Sequence, residues 1–148
     1  MPLILTALFA LALCLLIAVW IKRAASQRAM DQMEQHSITA VALHSLLAAS
    51  QSVLLFDVRQ PLDLLAFPEI IPGAERISPE DVLRNPLLIP KERDSIVYCT
   101  CPSDKTSRAV LQQARSLNFL RIKFLKGGLA AWKAQGYPVE PYNKPFHL

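Results

Sequence analysis

Residues 95–108, SIVYCTCPSDKTSR, decide the fold because they pass from an apolar run through a polar loop into a helical pattern. The run SIVYC carries no charge, which is typical of a strand that is covered on both faces of a parallel sheet. Over residues 106–119, apolar side chains recur on one helical face, namely Val110, Ala114 and Leu117. The order strand, loop, helix predicts one unit of an α/β fold.

Two other apolar runs predict two more strands. SVLLFDV, residues 52–58, has a single acid near its end, and RIKFL, residues 121–125, is short and rich in large apolar side chains. Both are separated from SIVYC by helical patterns. Strands that alternate with helices predict a small α/β domain with a central, mainly parallel sheet flanked by helices.

Three more helices are predicted around these strands. Thr39 is a plausible N-cap for the first, within ITAVALHSLLAAS. Ser78 is the predicted N-cap of the second, SPEDVLRN, and Asp81 lies three residues further on, as in an approximate capping box. The third, GGLAAWKAQG, begins with two glycines and has Gly136 as its predicted C-cap.

The chain begins with a long apolar run. Residues 2–21, PLILTALFALALCLLIAVWI, contain no charged side chain, and a helix of this length is about 30 Å long, the thickness of the hydrocarbon core of a bilayer. Lys22, Arg23 and Arg28 come next in the chain. We therefore predict a single-pass transmembrane anchor over residues 1–21. The positive-inside rule then places the residues after 22 in the cytoplasm, at a membrane of the bacterial inner-membrane type.

The remaining chain divides into a juxtamembrane spacer over residues 22–35, one domain over 36–142 and a tail over 143–148. The net charge of +4 is modest, and no basic block is interleaved with aromatic residues, so nucleic acid is not a predicted partner. Two cysteines outside the predicted anchor, in a reducing compartment, do not suggest a disulfide framework.

The histidines are scattered at positions 36, 44 and 147, which is not the spacing of a metal site. We predict neither a metal nor a cofactor.

Cys99 ends a predicted strand just before a helix. Ligands of open parallel sheets bind beyond the carboxyl ends of the strands, and a helix N-terminus stabilises an anion there. Lys105 and Arg108 add positive charge. The position therefore suits a reactive thiolate, a persulfide or an oxyanion. The alternative is a small apolar cysteine that merely ends a strand.

Three stretches carry a resemblance to a known family. LLFDVRQPLDLLAFPEIIPGA, IVYC and FLKGGLAAWKAQGYPVE occur in this order between residues 54 and 140. Together they resemble the signatures of the rhodanese family of sulfurtransferases, over about residues 36–142. The resemblance implies a central parallel sheet with helices on both faces. It also implies transfer of sulfane sulfur from a donor such as thiosulfate to a thiol acceptor, either of which is a small molecule or a protein, through a persulfide on Cys99.

The resemblance also implies a loop that cradles the persulfide and the donor's anionic oxygens. Asp57 and Arg59 either organise this loop or form a salt bridge that fixes the strand end. The predicted loop and anion-binding residues are Thr100, Ser103, Asp104, Lys105, Thr106, Ser107 and Arg108.

The loop departs from the family pattern, in which cysteine and arginine are five positions apart with a glycine between them. Here Asp104 is five positions after Cys99, and Pro102 has no N–H to donate. A catalytically degenerate, membrane-tethered interaction module is therefore the alternative function.

Cys101 has three possible roles: a resolving thiol that attacks the persulfide or disulfide on Cys99, an alternative nucleophile, or a packing residue. A further alternative function is a thiol redox protein that uses Cys99 and Cys101 as its pair.

Overall fold

A computed structural model describes residues 2–100 and 104–144 of the chain; within the first helix it describes the side chains of 11–28, 31 and 34. The chain divides into two compact units, one ending at Gln35 and the other beginning at His36. The first unit is one helix, α1 (Pro2–Glu34), which combines the predicted apolar helix and the predicted spacer.

The predicted anchor is the first point to correct. The structure describes the side chains of residues 11–28 of this helix. Three of them, Lys22, Arg23 and Arg28, are charged, and they lower the mean hydropathy of this segment. No helix in the described part of the chain is long and apolar enough to cross a membrane. The prediction of a single-pass, inner-membrane protein whose domain faces the cytoplasm is therefore wrong, and membrane association through residues 2–21 has no support.

The second unit is built on a five-stranded sheet in which every strand pair is parallel. The order of the strands across the sheet is β1-β6-β5-β2-β4. Their bounds are β1 (Ser37–Ile38), β2 (Leu54–Asp57), β4 (Glu75–Arg76), β5 (Ser95–Tyr98) and β6 (Ile122–Leu125). The predicted α/β fold with a central parallel sheet is confirmed, and β5 is its middle strand.

The connecting segments are short helices on both faces of the sheet. Helices α2 and α6 contact each other, and α4 and α5 contact each other. Their bounds are α2 (Ala40–Ala48), α3 (Pro61–Ala66), α4 (Pro79–Arg84), a 3-10 turn (Pro86–Leu88), α5 (Lys105–Ser116) and α6 (Gly128–Ala134). A two-stranded antiparallel ladder, β3 (Glu69–Ile70) with β7 (Glu140–Pro141), lies beside the main sheet.

The caps differ from one helix to the next. Thr39 caps α2 as predicted, because its Oγ1 accepts a hydrogen bond from the N–H of Ala42 at 3.2 Å. Ser78 is the N-cap of α4, but its side chain makes no capping hydrogen bond, so the predicted capping box with Asp81 is absent. Pro79 at the first helical position presets the backbone for a helix, and α4 therefore starts without that bond.

Candidate functional site

Cys99 follows β5 directly, at the carboxyl edge of the sheet. On one side of it, the N–H of Val58 donates to the carbonyl of Tyr98 at 2.9 Å, so the pairing with β2 continues to the strand end. The residue is 1% exposed. Cys99 therefore occupies a sheltered position where ligands of parallel sheets bind.

A turn made of two glycines holds the backbone of Cys99. Gly127 and Gly128 have φ angles of +73° and +52°, in the left-handed region that favours glycine. The N–H of Leu129, just after them, donates to the carbonyl of Cys99 at 3.1 Å. A Cβ atom on Gly128 would lie 1.8 Å from that same carbonyl oxygen. Only glycine therefore allows α6 to start this close to the strand end.

Asp104 connects the far end of the loop to the same turn. It is 4% exposed, has a φ of +53° and is the N-cap residue of α5. Its Oδ2 accepts a hydrogen bond from the N–H of Gly127 at 2.8 Å. Its carbonyl accepts from the N–H of Arg108 at 2.8 Å, which closes the first turn of the helix. The double-glycine turn thus holds both ends of the loop that starts at Cys99.

The other predicted loop residues have different surroundings. Ser107 is fully buried, and neither its hydroxyl nor that of Thr100 has a hydrogen-bond partner among the described residues. The guanidinium of Arg108 lies over the ring of Phe124 with 4.9 Å to its centroid. Lys105 is exposed and Thr106 is half-buried. Two buried hydroxyls near the strand end are therefore available to a ligand.

Asp57 and Arg59 form a fully buried ion pair, with 2.5 Å between Oδ2 and Nη2. The guanidinium also donates to the carbonyls of Phe67 at 2.9 Å and Glu69 at 2.6 Å. These bonds attach Phe67 and the first residue of β3 to the segment just after β2. They match the salt-bridge interpretation of the pair, while its organising role at the loop stays a prediction.

Cys101 and Ser103 lie outside the described residues, as does Pro102, so their predicted roles stay predictions. Sequence reasoning missed the bond between Asp104 and Gly127. The available signal was an aspartate, a residue that tolerates the left-handed region, immediately before a helix. In the described part of the chain no three metal-ligating side chains converge, and we assign no residue a metal-binding role.

A parallel sheet with a cysteine at the end of its middle strand defines an α/β class of protein, and similarity identifies the family. The rhodanese-like domain family matches residues 39–135, and the chain belongs to this family. It is 29% identical over 104 residues to a sulfurtransferase of Allochromatium vinosum, covering 70% of this chain and 94% of that one.

Solved structures agree with this assignment. The chain is similar to a rhodanese-like domain from Anabaena sp., with 30% identity, a TM-score of 0.61 and coverage of 76% of this chain and 86% of that one. A full-length protein from Lactobacillus plantarum has a TM-score of 0.67 at 18% identity, covering 80% of this chain and 98% of that one. The second likeness shows the fold alone.

Proposed function

We propose that this protein is a sulfurtransferase that carries sulfane sulfur as a persulfide on Cys99. The observation that carries the proposal is the position of Cys99, at the carboxyl end of the middle strand with its carbonyl bound by the double-glycine turn. Membership of the rhodanese-like family and the similarity to a sulfurtransferase support the same reaction class.

The reaction has two displacement steps. With thiosulfate as donor, the Cys99 thiolate attacks the outer sulfur, a new S–S bond forms, and the donor's S–S bond breaks so that sulfite leaves with the electron pair. An acceptor thiolate then attacks the outer sulfur of the persulfide, and the Cys99 thiolate is the leaving group. Each step transfers one sulfur atom and needs no cofactor.

Groups around the loop can stabilise the negative charge that both steps carry. The positive end of the helix dipole at the start of α5, a helix of 12 residues, favours an anion. The buried hydroxyls of Thr100 and Ser107 can each donate a hydrogen bond to a persulfide or a donor oxygen.

The test is to incubate the full-length protein with thiosulfate and measure its intact mass. We expect the added mass of one sulfur atom, its loss on addition of a thiol, and no addition in Cys99→Ser. Cys101→Ser is the matched control, since it removes the neighbouring thiol of the same loop. If the sulfur appears on Cys99→Ser but not on Cys101→Ser, Cys101 is the nucleophile and the assignment is wrong.

A degenerate interaction module is the second candidate, favoured by one observation. Asp104 stands where the family's loop has its arginine, and its buried carboxylate adds negative charge where a donor anion would bind. The pH dependence of the alkylation of Cys99 by iodoacetamide separates the two functions, because its midpoint reports formation of the thiolate and not access to the buried sulfur. A sulfurtransferase requires a midpoint well below the ordinary range of a cysteine thiol, whereas a binding module predicts a midpoint within or above that range.

A further inference from the structure

A cavity lies at the carboxyl edge of the sheet, beyond the end of β4. Its volume is about 510 Å³, within the range of about 300–1,000 Å³ that is usual for small-molecule sites. Residues of α3, α4 and the 3-10 turn line it, and its described lining includes neither Cys99 nor the residues from Asp104 to Arg108. It is therefore a separate candidate site.

Arg76, the last residue of β4, supplies a half-buried positive charge to the lining of this cavity. The side chain is half-buried, and its Nη1 donates to the carbonyl of Asp57 at 3.2 Å and to that of Ile77. No carboxylate among the described residues forms an ion pair with it, because Asp57 is already paired with Arg59. Burial lowers the pKa of Arg76, and the Asp57 carboxylate opposes this effect.

The Asp57 carboxylate faces two guanidiniums, those of Arg59 and Arg76, so one positive charge stays unbalanced. A half-buried guanidinium in this situation has lost part of its hydration and gains from a bound anion. Its planar arrangement of donors matches a carboxylate, with which it can form two parallel hydrogen bonds.

Two polar groups beside Arg76 are available to the same ligand. The Ser78 side chain makes no capping hydrogen bond to α4 and lines the cavity. Asn85 uses its Oδ1 to accept from the N–H of Leu87 at 3.3 Å, which leaves its amide N–H groups as donors. Both therefore add hydrogen-bond donors close to the positive charge.

The other charged side chains at the cavity are exposed to solvent, so their electrostatic effect on a bound ligand is weak. Arg84 pairs with Glu80 at 3.0 Å on the surface of α4, and Asp81 is also exposed. Solvent screens these groups, so the half-buried Arg76 dominates the local electrostatics. Apolar side chains, among them Leu64 and Leu88, also line the cavity.

We propose that this cavity binds a small organic acid, whose carboxylate contacts Arg76 and Ser78 and whose carbon body packs against Leu64 and Leu88. The volume leaves room for a body well beyond a bare inorganic anion. The site is independent of sulfur transfer, so its occupancy does not depend on Cys99.

The test uses full-length protein and ligand-observed fluorine NMR. The probes are 4-fluorophenylacetate and its neutral analogue 4-fluorophenylacetamide, which differ in charge but hardly in shape. We expect the acid to bind at least about tenfold more tightly than the amide, as a charge-assisted pair with Arg76 requires. Equal affinities for the acid and the amide would overturn the proposal.

Variants assign the binding to this cavity. Asn85→Asp keeps the oxygen that accepts from Leu87 and adds a negative charge, so we expect at least about threefold weaker binding of the acid without loss of fold. Arg76→Met should weaken it about tenfold. Arg121→Met is the matched control, because it removes an exposed arginine just before β6, outside the lining of the cavity.

We expect Arg121→Met and Cys99→Ser to bind the acid with the same affinity as the unaltered protein. If Asn85→Asp binds the acid as tightly as Arg121→Met does, the site lies elsewhere and the proposal fails. Retained binding in Cys99→Ser, together with absent persulfide formation, separates this proposal from the sulfurtransferase proposal.

Discussion

The carbonyl oxygen of Cys99 lies 1.8 Å from the point that a Cβ atom would occupy on Gly128. Atoms that are not bonded do not approach this closely, so any side chain at position 128 must displace the end of β5 or the start of α6. The chemistry proposed for Cys99 and the packing of α6 therefore depend on the same residue.

Gly128→Ala should be strongly destabilising. The substitution places alanine at a φ of +52° and also produces the clash with Cys99, so we expect a loss of about 3 kcal/mol in the free energy of unfolding. Gly136→Ala is the control, because Gly136 has a φ of +73° and nothing within 4 Å of its Cβ position. It should lose only about 1 kcal/mol. Urea denaturation measures both, and equal losses would contradict the steric argument.

Asp104 should contribute to stability through its hydrogen bond to Gly127. Asp104→Ala removes the acceptor and leaves alanine at a φ of +53°, and we expect a loss of about 2 kcal/mol. Asp104→Asn keeps an acceptor oxygen and tolerates the left-handed region, so it should lose less than about 1 kcal/mol. Thermal denaturation of the two variants distinguishes them. Identical melting temperatures would mean that the bond contributes nothing.

Removal of Arg59 should be costly because it leaves the Asp57 carboxylate buried without its cation. We expect Arg59→Met to lower the free energy of unfolding by about 3–5 kcal/mol. Arg121→Met breaks an exposed ion pair with Asp94, at 2.8 Å, and should change the free energy of unfolding far less, because solvent screens this pair. Chemical denaturation compares the variants. A small loss in Arg59→Met would show that water reaches Asp57 once the arginine is gone.

Tyr98 should make the fold sensitive to alkali. Burial, and after it the charge of Asp57, raises the pKa of Tyr98 well above its ordinary value, and its hydroxyl accepts a hydrogen bond from Ile71 at 3.2 Å. Above pH of about 10 the unfolded chain loses this proton while the folded chain keeps it, so stability falls as the pH rises. The expected slope is about 1.4 kcal/mol per pH unit.

Tyr98→Phe is the control for this slope. It removes the titrating hydroxyl at the cost of the bond to Ile71, so it should be less stable at pH 7 but lose less stability between pH of about 9 and about 11. Denaturation midpoints across this range provide the comparison. Parallel pH profiles of the two proteins would assign the alkaline sensitivity to other groups.

Apolar runs in the sequence predicted three of the strands. The other strands form only by pairing with a neighbouring strand, and the sequence did not predict them. Strands β2, β5 and β6 are buried runs, and their apolar character identified them. The two-residue strands β1, β3, β4 and β7 are too short to have a periodic pattern, and they exist because a longer strand or each other supplies hydrogen bonds. Their pairing is a tertiary property that local residue patterns do not contain.

The candidate site was predictable in position but not in detail. Cys99 stands at the strand end where the pattern SIVYC placed it. The aspartate before α5 was a local signal at Asp104, but its partner Gly127 is distant in sequence, so no local pattern indicated the bond between them. At Ser78 the capping pattern was misleading, because Pro79 starts the helix without the serine's side chain. The apolar run at residues 2–21 was overinterpreted, since the charges just after it lie in the same helix.

The strand order has a consequence for synthesis on the ribosome. Strand β1 emerges first, yet its partner is β6, with Ser37 opposite Phe124. Until residue 125 has left the exit tunnel, β1 has no neighbour, and β5 is paired on only one side. We therefore expect nascent chains to stay protease-sensitive through most of translation and to gain resistance abruptly once β6 appears, so the unpaired strands are exposed to misassociation during elongation.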